Sequence, residues 1–234
     1  IMTHFPKDPN CIYCQENKIQ KARCSTKAKQ KGDELPKPTQ FGDAITADHK
    51  ILNEEDKSGL EDRVACIIQD RFSYWLQAYP APSKSQKETK KAFQRFLGPQ
   101  GRCKHVYTDN SPEFKATLEE LGFSHDTSTP HRSETNGIVE RAVRRVKEGT
   151  SCAREQSGYS DEFWDLAMTY YCFAHNIVDK LVDGQTPYQA RFGIKCDAPQ
   201  YPFGCEIKYK PITAKDQARC HQLGSKTLSG LFIG

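Results

Sequence analysis

No run of apolar residues in this sequence approaches the ~18 needed to span a bilayer as a helix. No charged-then-apolar signal segment stands at its start. Surplus charge is scarce too: 34 Lys and Arg face 30 Asp and Glu, a formal net charge of +4 over 234 residues. That excludes a wholly basic, histone-like binder, so contact with nucleic acid must come from local basic stripes. The expectation is a soluble intracellular chain with no membrane partner. Apolar residues are lean at 36%, with 10% aromatics, yet enough for a globular core rather than wholesale disorder. There is no internal repeat and no low-complexity tract. Cysteine, by contrast, is plentiful. The ten cysteines are spread along the chain; without a secretory signal most are expected to be buried free thiols, and only Cys11 and Cys14 have ligand-like spacing. The chain opens at Ile1-Met2-Thr3 and stops in the apolar run Leu231-Phe232-Ile233-Gly234, which reads as a piece of a longer polypeptide.

Three regions follow from the pattern. Residues 1–40 are poor in core formers. They carry Cys11-Ile12-Tyr13-Cys14 and a basic run from Lys18 through Lys21, Arg23, Lys27 and Lys29 to Lys31, closed by Leu35-Pro36-Lys37-Pro38; the run reads as a solvated linker. Residues 41–178 alternate strand and helix patterns: strands over 43–50, 64–69, 74–79 (ended by Pro80), 105–108 and 123–128. A capping box of Ser85 and Glu88 opens a helix that Gly98-Pro99 stops. Ser111-Pro112 opens the next, ended by Gly122. After a polar loop to Asn136-Gly137 a helix is predicted over 138–152, and Ser160 caps another with Phe163, Ala167, Tyr170 and Ala174 inward. This order makes an α/β layered domain. Residues 179–234 are loop-like, with short β pieces at 206–209 and 228–233.

Asp48 falls on the first strand, Asp109 at the end of the fourth, and Glu140 in the first turn of the helix after Asn136-Gly137. Strand ends and helix starts on one edge of an α/β sheet converge. Three clustered carboxylates are tolerable with a cation between them, and an oxygen-only set selects a hard ion, Mg²⁺ or Mn²⁺. Two such ions roughly 3.5–4 Å apart suit in-line displacement at phosphorus. Taken singly, each acid reads equally well as a surface or capping residue.

The ordered segments narrow this. Phe41-Gly42-Asp43 through Asp48, Gln69-Asp70-Arg71-Phe72-Ser73-Tyr74-Trp75 and Tyr107-Thr108-Asp109-Asn110-Ser111-Pro112-Glu113-Phe114 resemble retroviral and retrotransposon integrase cores. So does Ser128-Thr129-Pro130-His131 leading to Thr135-Asn136-Gly137-Ile138-Val139-Glu140-Arg141. The resemblance covers about residues 41–178. It implies a ribonuclease-H-like fold, a five-stranded mixed sheet flanked by helices, with Asp48, Asp109 and Glu140 as catalytic, metal-binding acids. It further implies DNA as partner, 3′-end processing and strand transfer as activity, and a homo-multimer. Two features depart from the family: Ser111 stands where glycine is usual, and 30 residues separate Asp109 from Glu140, a few fewer than in retroviral members. A shorter helix between the fourth and fifth strands accounts for the second. Gly184-Gln185-Thr186-Pro187-Tyr188, Phe192-Gly193, Phe203-Gly204-Cys205 and 229–234 are similar to the tail after the core in copia-like retrotransposon polyproteins, here as a truncated small β tail. Rival readings are a nuclease of the same fold, or an inactive or domesticated DNA-binding or assembly module.

Cys11 and Cys14 fix half a tetrahedral zinc site. The resemblance implies a histidine pair upstream of them. His4 is too close to match that spacing, so the expectation is a partial zinc knuckle whose histidines precede Ile1; a self-contained His4, Cys11, Cys14 and Cys24 site is the weaker alternative. Arg144 stands one turn from Glu140 on the same helix face, and with Lys147 it is the candidate contact for DNA phosphates. Tyr74, Trp75, Tyr79 and Trp164 follow strand and helix periods and read as core. His175 reads as a buried, satisfied histidine. Chromosomal DNA as substrate places the reaction in a nucleus, with a cytoplasmic particle stage before it.

Overall fold

The computed structural model describes residues 2–19, 37–99, 101–127 and 133–234. The basic run beyond Lys18, Cys24 and the motif at 128–131 lie outside the described residues. A short helix α1 (Ile12–Asn17) precedes the sheet. Then follow β1 (Ile45–Ile51), β2 (Val64–Asp70), β3 (Leu76–Ala81), α2 (Gln86–Leu97), β4 (His105–Thr108), α3 (Pro112–Leu121) and β5 (Ser124–Thr127). The chain continues with α4 (Ser133–Ser157), α5 (Trp164–Val178), α6 (Pro187–Phe192), β6 (Glu206–Tyr209), α7 (Ala214–Gln217) and β7 (Leu228–Leu231). The main sheet has the order β3-β2-β1-β4-β5. β1 is antiparallel to β2 and parallel to β4, and β4 is parallel to β5. This is the expected five-stranded mixed sheet, flanked by helices. β6 and β7 form a separate antiparallel pair.

Strand periodicity builds two cores, one on each face. Ile45, Ala47, Cys66, Ile68 and Val106 meet Phe93 and Phe96 of α2 and Phe114 and Leu118 of α3. On the opposite face Ala65, Ile67, Leu76 and Ala78 meet Ala142 and Val146 of α4 and Trp164, Met168 and Tyr171 of α5. Every residue of β2 is buried, as a strand covered on both faces requires. Helix boundaries have local causes. Ser85 Oγ accepts from the Glu88 N–H, although the Glu88 side chain pairs with Lys91 rather than closing a box. Gly122, with φ +69°, ends α3 in the left-handed region.

Several expected boundaries shift. β1 starts two residues later than predicted. Pro80 lies within β3 rather than ending it, because β3 is an edge strand and its outer side needs no N–H donor. Tyr74 leaves the strand for the preceding turn, with φ +57°, and is exposed, whereas Trp75 and Trp164 are buried. Tyr79 packs against the α2–α3 core. α4 begins at Ser133, so Asn136-Gly137 is inside the helix rather than before it. Ser160 precedes a 3₁₀ turn and bonds Glu162 instead of capping a backbone N–H.

α4 and α5 approach closely where Gly149 faces Tyr171, a ring that a methyl group at position 149 would overlap. Tyr171 is fully buried, so its ring has no free space to move into. Gly149→Ala is therefore expected to destabilise the fold by about 1–3 kcal/mol, read as a lowered Tm; an unchanged or raised Tm would contradict this packing.

Candidate active site

Asp48 lies on β1 opposite Ile67 of β2, and Ile67 belongs to the core beneath α4 and α5. Directly opposed residues share a face, so Asp48 points to the α4 side. In the parallel ladder Thr46 is level with Tyr107. Two residues further along each strand, Asp48 comes level with Asp109, just past the end of β4. Glu140 approaches from α4, near enough for its charge to act on Asp48. It occupies the eighth residue of that helix rather than its first turn, because α4 starts at Ser133.

Electrostatics record the convergence. Burial pushes the Asp48 carboxyl up to about 6, and the charges of Asp109 and Glu140 push the same way. The His49 N–H donates to Asp48 Oδ1 at 2.7 Å and opposes the shift. Asp109 and Glu140 are exposed, and Asp109 Oδ1 accepts the Ser111 N–H at 3.2 Å. Ser111 stands at the N-cap position of α3 without a side-chain bond. Among the described residues the three acids do not bring their oxygens within 4.8 Å of one another, as His4, Cys11 and Cys14 do with their ligand atoms. The set fits a hard divalent cation by its chemistry: all donors are carboxylate oxygens, and their mutual repulsion is what a cation relieves.

Glu140, Arg144 and Lys147 are exposed at spacings of four and three, which puts them on one stripe of α4. Among the described residues neither Arg144 nor Lys147 forms an ion pair. Arg145 turns the other way, 4.3 Å from the Phe5 ring centroid. His49 escaped the sequence reading. It stacks on Phe114 at 4.2 Å, lies 3.1 Å from Thr89 Oγ1, and burial pushes it down to about 4. It is neutral at pH 7, packed directly beneath the acid edge. Its one available signal was its place next to Asp48.

The N-terminal segment corrects two expectations. His4 is 1% exposed and its Nδ1 lies 3.5 Å from Cys11 Sγ and 3.4 Å from Cys14 Sγ. Tetrahedral bonds of about 2.0 Å to nitrogen and 2.3 Å to sulfur put N and S about 3.5 Å apart. His4 therefore lies beside the two cysteines, which the expected partial site held without it. His4 Nε2 donates to Gln156 Oε1 at 2.8 Å, which leaves the Nδ1 lone pair for the thiol side. Burial lowers the His4 pKa and keeps the ring neutral. Lys18, read as solvated, is buried and donates to His4 O at 2.6 Å. His175 is buried as expected, with Nδ1 2.8 Å from Asp179 Oδ2, though among the described residues its Nε2 has no partner.

No family model matches the chain. Among curated proteins it is 31% identical over 183 residues to the Retrovirus-related Pol polyprotein from transposon RE1 of Arabidopsis thaliana, across 74% of this chain. It is 28% identical over 153 residues to the Pol polyprotein from transposon 412 of Drosophila melanogaster, across 63% of this chain. The chain spans 12% of the length of either relative. Among solved structures, the simian T-cell lymphotropic virus intasome in complex with PP2A regulatory subunit B56 gamma superposes with TM-score 0.56 at 18% identity, over 94% of this chain and 76% of that one. The HTLV-2 integrase catalytic core domain in complex with magnesium gives TM-score 0.50 at 19% identity, over 65% and 97%.

Asp48 allows a direct check on the site. In the unfolded chain it titrates near 3.8; in the fold, at about 6. The fold thus binds the extra proton between those values, and stability of the metal-free chain should fall as pH rises from 4 to 6, by up to about 3 kcal/mol. Asp48→Asn should remove this slope, and Mg²⁺ should raise the wild-type Tm at pH 7 but not the variant's. Thermal scans across pH with and without Mg²⁺ read it; a flat wild-type profile would contradict the buried, repelled carboxyl. Sequence relatives and architecture agree: the chain is a homologue of retrotransposon and retroviral Pol polyproteins and has the ribonuclease-H-like fold of an integrase catalytic core.

Proposed function

We propose that this chain is the integrase core of a retrotransposon polyprotein, carrying out metal-dependent 3′-end processing and strand transfer of DNA. One observation supports the reading: Asp48 and Asp109, remote in sequence, come level across β1 and β4, and the charges of Asp109 and Glu140 both bear on Asp48. Asp48, which feels both other acids, would hold Mg²⁺ or Mn²⁺ ions together with Asp109 and Glu140. When bound, such ions supply activation of an attacking oxygen and stabilisation of a leaving oxygen at phosphorus. The rest is the work of the chain. The His49 backbone N–H orients the Asp48 carboxyl, and the neutral His49 ring, stacked on Phe114, keeps β1 seated below it. Arg144 and Lys147 hold DNA phosphates along the exposed stripe that begins at Glu140. Water or a DNA 3′-hydroxyl attacks the phosphodiester directly, in line with the leaving oxygen and without a covalent enzyme intermediate, on a strand that this phosphate grip positions.

The same reading assigns residues 41–178 to the catalytic core, 1–40 to a zinc-binding segment with its linker, and 179–234 to a copia-like tail. It implies a homo-multimer on DNA; HTLV-2 integrase cores are described in trimeric and dimeric forms. The reaction belongs in a nucleus, where chromosomal DNA is. His4 Nδ1, Cys11 Sγ and Cys14 Sγ would hold one zinc ion, whose contribution is a structural cross-link. Lys18 and Gln156 would fix the loop and the imidazole around it.

Two experiments test this. A branched DNA that mimics the strand-transfer product, incubated with the chain and Mn²⁺, should be resolved into joined strands, and Asp109→Asn should abolish this. Shortened strands without joining would favour a nuclease of the same fold; no metal-dependent product from a folded chain would contradict the proposal. For zinc, the chain is expected to bind one equivalent at pH 7, and His4→Ala or Cys14→Ser to lower the affinity at least tenfold. Equal binding by all three proteins would exclude the site.

A further inference from the structure

β4 ends at Thr108, whereas its neighbour β1 runs on to Ile51. The residues after Asp48 therefore line an open rim, on the side where β4 no longer covers them. Lys50 lies opposite Ala65 as Asp48 lies opposite Ile67. Ala65 and Ile67 both belong to the core under α4 and α5, so Lys50 is on the same face as Asp48, one pleat further along. It is half-buried, and its charge acts on the Asp48 carboxyl. Yet among the described residues it forms no ion pair within 4 Å. Lys57, Lys84, Lys90, Lys91 and Lys104 each have a carboxylate partner. Asp48, whose carboxyl feels this charge, does not take Lys50 as a close partner.

An ammonium held at the mouth of an acid cluster, but not paired within it, suits an anion that must approach that cluster. Carboxylates alone repel a phosphodiester; a lysine on the rim gives the incoming phosphate a fixed cation that is present before any metal. Arg144 and Lys147 stand on the helix side of the acids, and Lys50 stands on the sheet side. A backbone crossing the edge would meet a cation on each side. We propose that Lys50 is a substrate-binding residue for DNA: its ammonium takes a non-bridging phosphate oxygen at the acid edge and fixes the backbone from the sheet side. This rests on the function proposed above. The competing role is a plain counter-ion to Asp48, which would affect the metal but not the DNA.

The test uses the whole chain with the branched DNA as probe, in Mn²⁺, at a series of salt concentrations, alongside Mn²⁺ titration without DNA. Lys50→Met is expected to weaken DNA binding about fivefold at low salt and to lower the salt slope by about 0.9, the contribution of one phosphate. Lys50→Arg should keep both at the wild-type level, and Mn²⁺ affinity should be unchanged or tighter in Lys50→Met. Should Lys50→Met fail to fold, Lys50→Gln makes the same comparison. Wild-type DNA affinity and salt slope in the neutral variant, with Asp109→Asn still abolishing branch resolution, would overturn this inference alone. A wild-type chain that binds no DNA would overturn the proposed function and the inference with it.

Discussion

The parallel pairing of β1 with β4 is the contact on which the site depends. Thr46 level with Tyr107 brings Asp48 level with Asp109. A slip of one residue would turn one of the two acids to the opposite face, into the core with Phe93 and Phe114. The register is held by what lies on that face: Ile45, Ala47 and Val106 are all fully buried in one cluster, so the apolar alternation that makes the core also aligns the acids. α4 completes the edge because Ala142 and Val146 bury against the opposite face, which leaves Glu140 on the exposed side of its helix. Stability and chemistry pull in different directions here. The Asp48 carboxyl is raised first by its burial and then by the neighbouring charges of Asp109 and Glu140, a cost that a cation would relieve.

The flanking segments rest on the same two helices. Thr3 donates to Asp179 at the end of α5 at 2.6 Å, His4 holds Gln156 of α4, and Asn17 holds Glu155. From the other side, Phe203 and Phe232 pack on Tyr170. α6 is anchored by Arg191, whose guanidinium sits 3.9 Å from the Phe41 ring and 4.7 Å from Trp75 while donating to Phe96 O. A cation among aromatic rings, with a carbonyl to receive its N–H, is a tolerable way to bury charge. The helix that carries Glu140 thus also carries the N-terminal segment, so a metal held by His4, Cys11 and Cys14 would brace α4 toward the end away from Glu140.

The core elements were legible in the sequence because their apolar residues repeat with period two or near 3.6, and because serine, proline and glycine mark their ends. β2, which opens with the apolar run Val64 to Ile68, and α3, between Pro112 and Gly122, are the clearest cases. The acids were legible only through the ordered motifs around them; nothing in period or spacing separates Asp48 from Asp43 or Asp70. Other features depend on tertiary partners. The early start of α4 passes through Asn136-Gly137, residues that by themselves favour a loop. Pro80 is accepted in a strand because that strand is an edge. His4 joins Cys11 and Cys14 because α4 supplies Gln156 from 152 residues away in the chain, and no local pattern reports that. Lys50 and His49 are set by strand parity and by where β4 stops.

The most direct test of the account is a crystal of this chain soaked in Mn²⁺ and examined by anomalous diffraction. The account predicts a peak at the open edge between Asp48 and Asp109, with Glu140 facing it, and its loss in Asp48→Asn. No peak at that edge at saturating Mn²⁺, or one that persists in Asp48→Asn, would contradict the claim that these three acids form one divalent-cation centre.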